Sequence, residues 1–340
     1  MMKKVIFIFA ILLAAIFCLD FLLLNQASRA VSPYRPDDQI GWIPKENFHR
    51  SFKQKDLDGK EYDVQFFTYT DGFRAYGDID SNKVKILIVG DSFTGDPYTG
   101  NDDAYFSVMK NTLKSKFDKE IELFVIGASG YGTLQEFLIV ERYAERINPD
   151  ILILQFCSND FGNNSIEIEN NQIVKNQSYF RPYLVNDNIV FIDNFMAKLY
   201  RFIYFQSRIF RRLDIIRQWI LYKIYDGYGP EVSQAERDRL KKESIGITKT
   251  ILNKFNKIGL TDTKFITFNC ATEDATATRI WKDLARNTGF LVLETPSRAF
   301  EAAEEKKSTV RHADGGHLNI LGNKITGEEL AAQLANYVRY

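Results

Sequence analysis

Apolar residues along this chain fall into short unbroken runs separated by stretches of helical spacing. Residues 84–89 are apolar and β-branched and stop at Gly90, and residues 121–126 and 151–156 repeat the pattern. Between these runs, residues 105–117 and 134–147 carry apolar side chains at helical intervals. Strands that are apolar throughout, rather than alternating, predict a parallel sheet covered by helices on both faces. The rhythm returns with a polar helix over about 233–257, strands at 264–268 and 291–293 flanking a helix at 275–287, and a last helix from about 320 to 338. Residues 31–82 mix Pro, Asp, Gly and aromatics with a short alternating stretch at 62–70, which predicts irregular strands and turns. No internal repeat is visible.

Two segments depart from this rhythm. From Phe161 to about Pro230 an Asn-rich stretch (Asn163, Asn164, Asn170, Asn171) leads into a dense aromatic and basic segment, with Tyr200, Phe202, Tyr204, Phe205, Phe210 and Trp219 interleaved with Arg201, Arg208, Arg211, Arg212 and Arg217. Such helices lie on anionic membrane surfaces or cap a pocket. A helical insertion whose aromatic face packs on the domain, or a lid, is favoured over membrane contact, because apolar periodicity mostly marks core. At the other departure, Lys3 and Lys4 precede an almost continuously apolar run, residues 5–24, broken by Asp20 and followed by Ala27, Ser28 and Ala30. This reads as a signal peptide or as an uncleaved membrane anchor, within residues 1–30. Either reading places the rest of the chain outside the cytoplasm, in the periplasm or on the outer face of the membrane. The division expected is therefore residues 1–30 for export, 31–82 as a flank, and 83–340 as one domain with an insertion at about 161–230.

Composition narrows the chemistry. The 340 residues hold 44 Lys and Arg against 44 Asp and Glu, with three His and three Cys. A net charge of zero supplies no field for nucleic acid. So few Cys exclude a disulfide scaffold and a four-thiolate zinc site. Any catalytic imidazole must be His49, His312 or His317.

Gly90-Asp91-Ser92 follows a buried strand, so Ser92 faces the cleft at the carboxyl edge of the sheet. The same three residues are also a common turn sequence. Where the second strand ends, Gly127-Ala128-Ser129-Gly130-Tyr131-Gly132-Thr133 can bring backbone N–H groups close to an anion or oxyanion. Its glycine spacing is not that of a dinucleotide fingerprint, and the chain has no Gly-x-x-x-x-Gly-Lys phosphate loop. The third strand ends in Cys157-Ser158-Asn159-Asp160, which sets an amide donor at the same edge. Just before the last helix, Asp314-Gly315-Gly316-His317 lets a carboxylate fold back onto imidazole Nδ1–H, leaving Nε2 as a base. Metal ligation by His312, Asp314 and His317 lacks a second cluster to complete a site. No Gly-x-Ser-x-Gly elbow occurs. Asp91 reads as a structural acceptor, and Cys157 and Cys270 as small buried residues, with a disulfide between them left open.

In this order the four blocks resemble the SGNH (GDSL-type) hydrolase family, over roughly residues 83–160 and 311–338. The flank, with Gly41-Trp42 and Gly72-Phe73-Arg74, resembles the stretch before Gly-Asp-Ser in exported, membrane-tethered members. The resemblance implies a three-layer α/β/α sandwich with a central parallel sheet, an N-terminal β-rich flank and a helical insertion. It implies Ser92 as nucleophile, Asp314 and His317 as its triad partners, and Ser92 N–H, Gly130 and Asn159 as oxyanion donors. It implies no cofactor and no metal. One departure stands out: the family's third block has Gly two residues before the Asn, and Cys157 occupies that position. The activity implied is an exported serine esterase acting on acyl esters, O-acetylated cell-envelope glycans among them. Two alternatives use the same fold: an O-acyltransferase on extracytoplasmic polysaccharide, and a catalytically weak module that binds glycan. Neither the substrate nor the oligomeric state is legible in the sequence.

Overall fold

The computed structural model describes residues 32–95, 97–172, 179–224, 232–270, 274–294 and 296–338, together with Ile11, Ala14, Ala15 and Cys18. The expected export segment, residues 1–30, lies outside the described residues apart from these last four. Among the described residues, no helix is long and apolar enough to cross a membrane. The chain divides into two compact units, residues 1–42 with 166–240 and residues 43–165 with 241–340. The second therefore takes in most of the flank as well as the sheet, while residues 166–230 of the expected insertion belong to the first.

After the short strands β1 (Tyr34–Asp37) and β2 (Gly41–Pro44), strands β3 (His49–Lys55) and β4 (Glu61–Phe67) pair antiparallel from His49 opposite Phe67 to Lys55 opposite Glu61. The sheet strands follow: β5 (Val84–Gly90), β6 (Ile121–Gly127) and β7 (Ile151–Phe156). The first unit contributes the hairpin β8 (Tyr183–Val185) and β9 (Asn188–Val190). The last sheet strands are β10 (Lys264–Asn269) and β11 (Leu291–Val292), and the five-stranded order is β11-β10-β7-β5-β6, parallel throughout. Every residue of β7 is buried, Gln155 included, as a strand covered on both faces requires. The helices are α1 (Ser92–Gly95), α2 (Tyr105–Phe117), α3 (Thr133–Ile147), α4 (Asn159–Asn163), α5 (Ile166–Asn171), α6 (Phe195–Gln206), α7 (Arg208–Ile224), α8 (Gln234–Phe255), α9 (Ala275–Asn287), α10 (Ser297–Glu305) and α11 (Ile320–Leu334). Helix α10 and the short α1, α4 and α5 carry too few periods to register in the apolar pattern.

The fold of the sheet-bearing unit is thus an α/β sandwich around a parallel sheet. Its core joins Ile86 and Ile88 of β5, Leu123 and Val125 of β6, and Ile153 of β7 to Tyr105, Phe106 and Met109 of α2 and Leu330 and Leu334 of α11. Each such side chain contributes about 1.5–3 kcal/mol when removed from water. Helices α2 and α3 end on Asp118 and Asn148 in the left-handed region, φ 50° and 47°, which short polar side chains tolerate in place of glycine.

In the first unit several aromatic side chains of the insertion pack against one another, while Phe195 and Phe202 are exposed. Phe180 meets Tyr200, Tyr204 and Phe205 at ring separations of 5.1–5.7 Å, and Tyr200 meets Phe210 edge-on at 5.3 Å. Arg181 and Glu169 are both buried and stand 3.7 Å apart. A second, apolar face of the same helices is exposed, which the packing expectation did not include.

Candidate active site

The site lies within the sheet-bearing unit and begins at the end of β5. Gly90 and Gly127 are register partners, and the chain turns at Asp91 into α1. A Cβ on Gly95 would strike the Gly127 carbonyl, so the glycines of the first two blocks let two backbone segments meet. The turn is held from below by Gln155, a buried amide inside an otherwise apolar strand. Its Oε1 accepts from Asp91 N–H at 3.2 Å and from Thr94 Oγ1 at 2.8 Å. Asp91 acts as a structural acceptor, taking Phe93 N–H on Oδ1 at 3.0 Å. Ser92 is consequently fixed at the carboxyl edge of the sheet, beside strands that leave it on either side, where ligands bind in folds of this class.

The second half of the site comes from residues 311–319. Asp314 Oδ1 accepts the backbone N–H groups of Gly316 and His317, each at 3.0 Å, and Gly315 supplies the left-handed φ of 79° that closes the turn. Asp314 Oδ2 then stands 2.6 Å from His317 Nδ1. A carboxylate only accepts, so Nδ1 carries the proton and Nε2 presents its lone pair. That nitrogen lies 2.8 Å from Ser92 Oγ. Burial raises the Asp314 carboxyl, but the hydrogen bond and charge of His317, with the two backbone donors, outweigh it and hold the group well below the usual carboxylate range. Asn319 caps α11 by accepting from Gly322 N–H at 3.0 Å and donates to Thr309 O at 2.9 Å, which anchors the far side of the turn.

Serine, imidazole and carboxylate therefore form one hydrogen-bonded line.

Several residues that complete this arrangement carry no motif. Tyr98 stacks on the His317 ring at 3.8 Å and 11°, and Phe93 flanks the ring at 4.9 Å. His312, one of the three candidate imidazoles, is buried beside the turn. Its Nδ1 accepts Asp314 N–H at 3.2 Å, so its Nε2–H donates to Gln54 Oε1 at 3.1 Å. Gln54 in turn donates from Nε2 to Pro97 O at 3.3 Å. His49, the third imidazole, is exposed on β3. Arg74, from the Gly-Phe-Arg stretch of the flank, is buried and donates to Thr94 O, Thr99 O and Asn101 Oδ1 at 3.0–3.3 Å. The strand β3 also pairs with the triad turn, through Leu57 N–H to Arg311 O and Ala313 N–H to Lys55 O, both 3.0 Å.

Gly130 and Asn159, the expected oxyanion donors, follow the two strands that flank β5. Gly130 has φ 71°, a conformation that suits glycine. Asn163 Nδ2 donates to the carbonyls of Gly130 and Tyr131 at 3.3 and 3.1 Å, and Asn164 Oδ1 accepts Leu134 N–H at 3.1 Å. The Asn-rich stretch thus braces the glycine loop. Asn159 opens α4 with an exposed side chain. Cys157 is buried and free, as is Cys270, and burial beside the Asp91 and Asp160 carboxyls pushes the Cys157 thiol up. Asp160 Oδ2 accepts Cys157 N–H at 3.1 Å. Beneath lies Glu136, fully buried and without a hydrogen-bond partner on either oxygen among the described residues. Burial, then the charges of Asp160 and Asp91, raise its carboxyl well above the ordinary range, so it is held protonated.

No protein-family model matches the chain, and no curated protein does. Among solved structures, it is similar to an alpha/beta hydrolase enzyme from the metagenome of Lake Arreo, Spain, at 13% identity over 77% of this chain and 99% of that one, TM-score 0.42. It is similar to a lipase/acylhydrolase from Enterococcus faecalis at 12% identity, over 75% and 97% of the two chains, TM-score 0.42. A third is the acetyl xylan esterase AlAXEase, at 14% identity over 74% and 100%, TM-score 0.41. Likenesses this slight carry no chemistry across, and the chemistry of the site follows from its own side chains.

Proposed function

We propose that this chain is a serine hydrolase of the SGNH (GDSL-type) family that cleaves ester bonds. The observation that carries the proposal is the line Ser92 Oγ, His317 Nε2, His317 Nδ1, Asp314 Oδ2, with contacts of 2.8 and 2.6 Å. His317 Nε2 takes the Ser92 hydroxyl proton as Oγ bonds to the ester carbonyl carbon, and the carbonyl electron pair moves onto oxygen. Collapse of that oxyanion breaks the bond to the alcohol oxygen, which leaves with the proton from Nε2. Water then attacks the acyl-Ser92 ester by the same route, releasing the acid and restoring the hydroxyl. Asp314 holds the imidazole in the required tautomer and stabilises the imidazolium. Ser92 N–H, Gly130 and Asn159 are the oxyanion donors in this reading, supported by their positions at the ends of three adjacent strands.

The test is hydrolysis of a short-chain nitrophenyl ester by the full chain and by Ser92→Ala, with labelling by a fluorophosphonate probe. Turnover and labelling that depend on Ser92 are expected. Undiminished turnover by Ser92→Ala would refute the assignment. We further propose that the protein is exported and that its esters include O-acetylated glycans. Support comes from residues 1–30 and from the resemblance of the flank to exported, membrane-tethered members. Cell fractionation and acetate release from acetylated oligosaccharides check these two points separately.

A further inference from the structure

Helices α6 and α7 expose apolar side chains to a degree unmatched elsewhere among the described residues. Of the 16 large apolar side chains exposed there, ten lie within residues 195–224. On α7 they form a stripe: Ile209, Leu213, Ile216, Ile220 and Ile224, exposed by 37–63%. With successive residues turned by about 100°, these five fall within an arc of about 80°. Arg212 and Lys223 border the stripe on one side and Arg217 on the other. Phe195, Leu199 and Phe202 repeat the spacing on α6, with exposures of 39–75%. Residues 193–224 hold seven Lys and Arg against two Asp, a surplus of five positive charges in a chain whose net charge is zero.

We infer that this face docks on an anionic lipid bilayer, the stripe entering the headgroup–acyl boundary and its basic border reaching the lipid phosphates. An anionic bilayer offers negative charge and hydrocarbon at one surface, which matches both components of the face. A second copy of the chain would bring one positive surplus against another. Nucleic acid would satisfy the charge and leave the aliphatic stripe in water. Long basic side chains bordering an apolar stripe suit an interface, since their stems lie along hydrocarbon while their heads stay hydrated.

Because residues 5–24 could tether the full chain to vesicles unaided, docking is read at α7 itself. Ile216→Cys in a Cys18→Ser background carries an environment-sensitive fluorophore, since Cys157 and Cys270 are buried. On phosphatidylcholine vesicles containing phosphatidylglycerol, the emission is expected to shift to the blue and be quenched by brominated acyl chains. Neutral phosphatidylcholine vesicles or high salt should abolish the shift, and a label at exposed Lys249→Cys should show none. Arg212→Glu with Lys223→Glu should weaken the response at least about tenfold, each charge near an anionic surface mattering several-fold. Should that pair fail to fold, the salt dependence of the parent protein makes the same decision. A label at residue 216 that stays in water on anionic vesicles overturns the proposal. So does an equal response on neutral vesicles, or a shift that appears without vesicles as the chain self-associates.

Discussion

Replacing Asp314 by Asn separates the electrostatic role of the carboxylate from its role in the turn. Oδ1 accepts two backbone N–H groups at 3.0 Å, so an amide must place its oxygen there and turn its NH₂ toward His317. The imidazole is then driven to carry its proton on Nε2, the atom that must accept from Ser92. In buried triads this change costs about 10⁴ in kcat, or about 5.4 kcal/mol at 1.36 kcal/mol per decade. The Asp314 side chain is 36% exposed. Water screens part of the effect, and a loss of about 10²–10³ in kcat is expected, about 2.7–4.1 kcal/mol, with KM little changed. The turn should survive in Asp314→Asn but not in Asp314→Ala, so near neutral pH the asparagine should lower the melting temperature by the carboxylate's charge contribution and the alanine by more. Stability has its own pH signature. A carboxyl held below its unfolded value stabilises the fold above about pH 4, and that contribution disappears as pH falls through the native value. The stability gap between parent and Asp314→Asn should therefore close in acid. The assay is nitrophenyl ester turnover near neutral pH with parallel thermal melts from pH 2 to 8. A kcat for Asp314→Asn within about threefold of the parent would refute the tautomer argument.

Three further outcomes follow from buried groups. Arg74→Met removes the donor to the Thr94 and Thr99 carbonyls, leaves Asn101 Oδ1 only Phe67 N–H, and should cost about 3 kcal/mol or more by urea unfolding, with lower turnover as the loop from Thr94 to Asn101 loosens. Glu136 has a raised native pKa, so the unfolded chain ionises first, and stability is lost as pH rises above about 4.5. Glu136→Gln removes that loss, and its melting temperature should overtake the parent's increasingly from pH 5 to 8; a pH-independent difference would refute the buried-acid account. Maleimide should leave Cys157 and Cys270 unlabelled in the native protein and react with both on unfolding, because both thiols are enclosed and burial raises their pKa.

The line of Ser92, His317 and Asp314 was legible because its parts are local. Gly90-Asp91-Ser92 sits at a strand end that its apolar run announces, and Asp314 meets His317 across three residues. The sheet was legible for the same reason, since β5, β6 and β7 are apolar runs interrupted only by Lys85, Glu122 and Gln155. Tyr98, Gln54 and His312 were not, because each acts through a partner brought near only by the fold: Gln54 and His312 are 258 positions apart. Gln155 shows no surface signal, being one amide in a strand of aliphatics. The insertion shows another limit: periodicity marks an apolar face on α7, but nothing in the chain's order says whether another part of the protein covers it. Tyr200, Tyr204 and Phe205 gather around Phe180, while Phe195 and Phe202 of the same segment face outward, a division its spacing does not announce.

Gln54 touches both halves of the site, one end of its amide on the His312 ring and the other on the loop that carries Tyr98. Seen from the ribosome, this has a temporal consequence. Ser92 and His317 are 225 residues apart, and the bridging amide belongs to a segment made before either. A growing chain can make β5 and β6 early, yet it cannot assemble the Ser92–His317–Asp314 line until its last few dozen residues have emerged. Contacts of such long sequence separation also form late and slowly. The hydrogen-bonded line therefore joins the middle of the chain to a turn that synthesis delivers almost last.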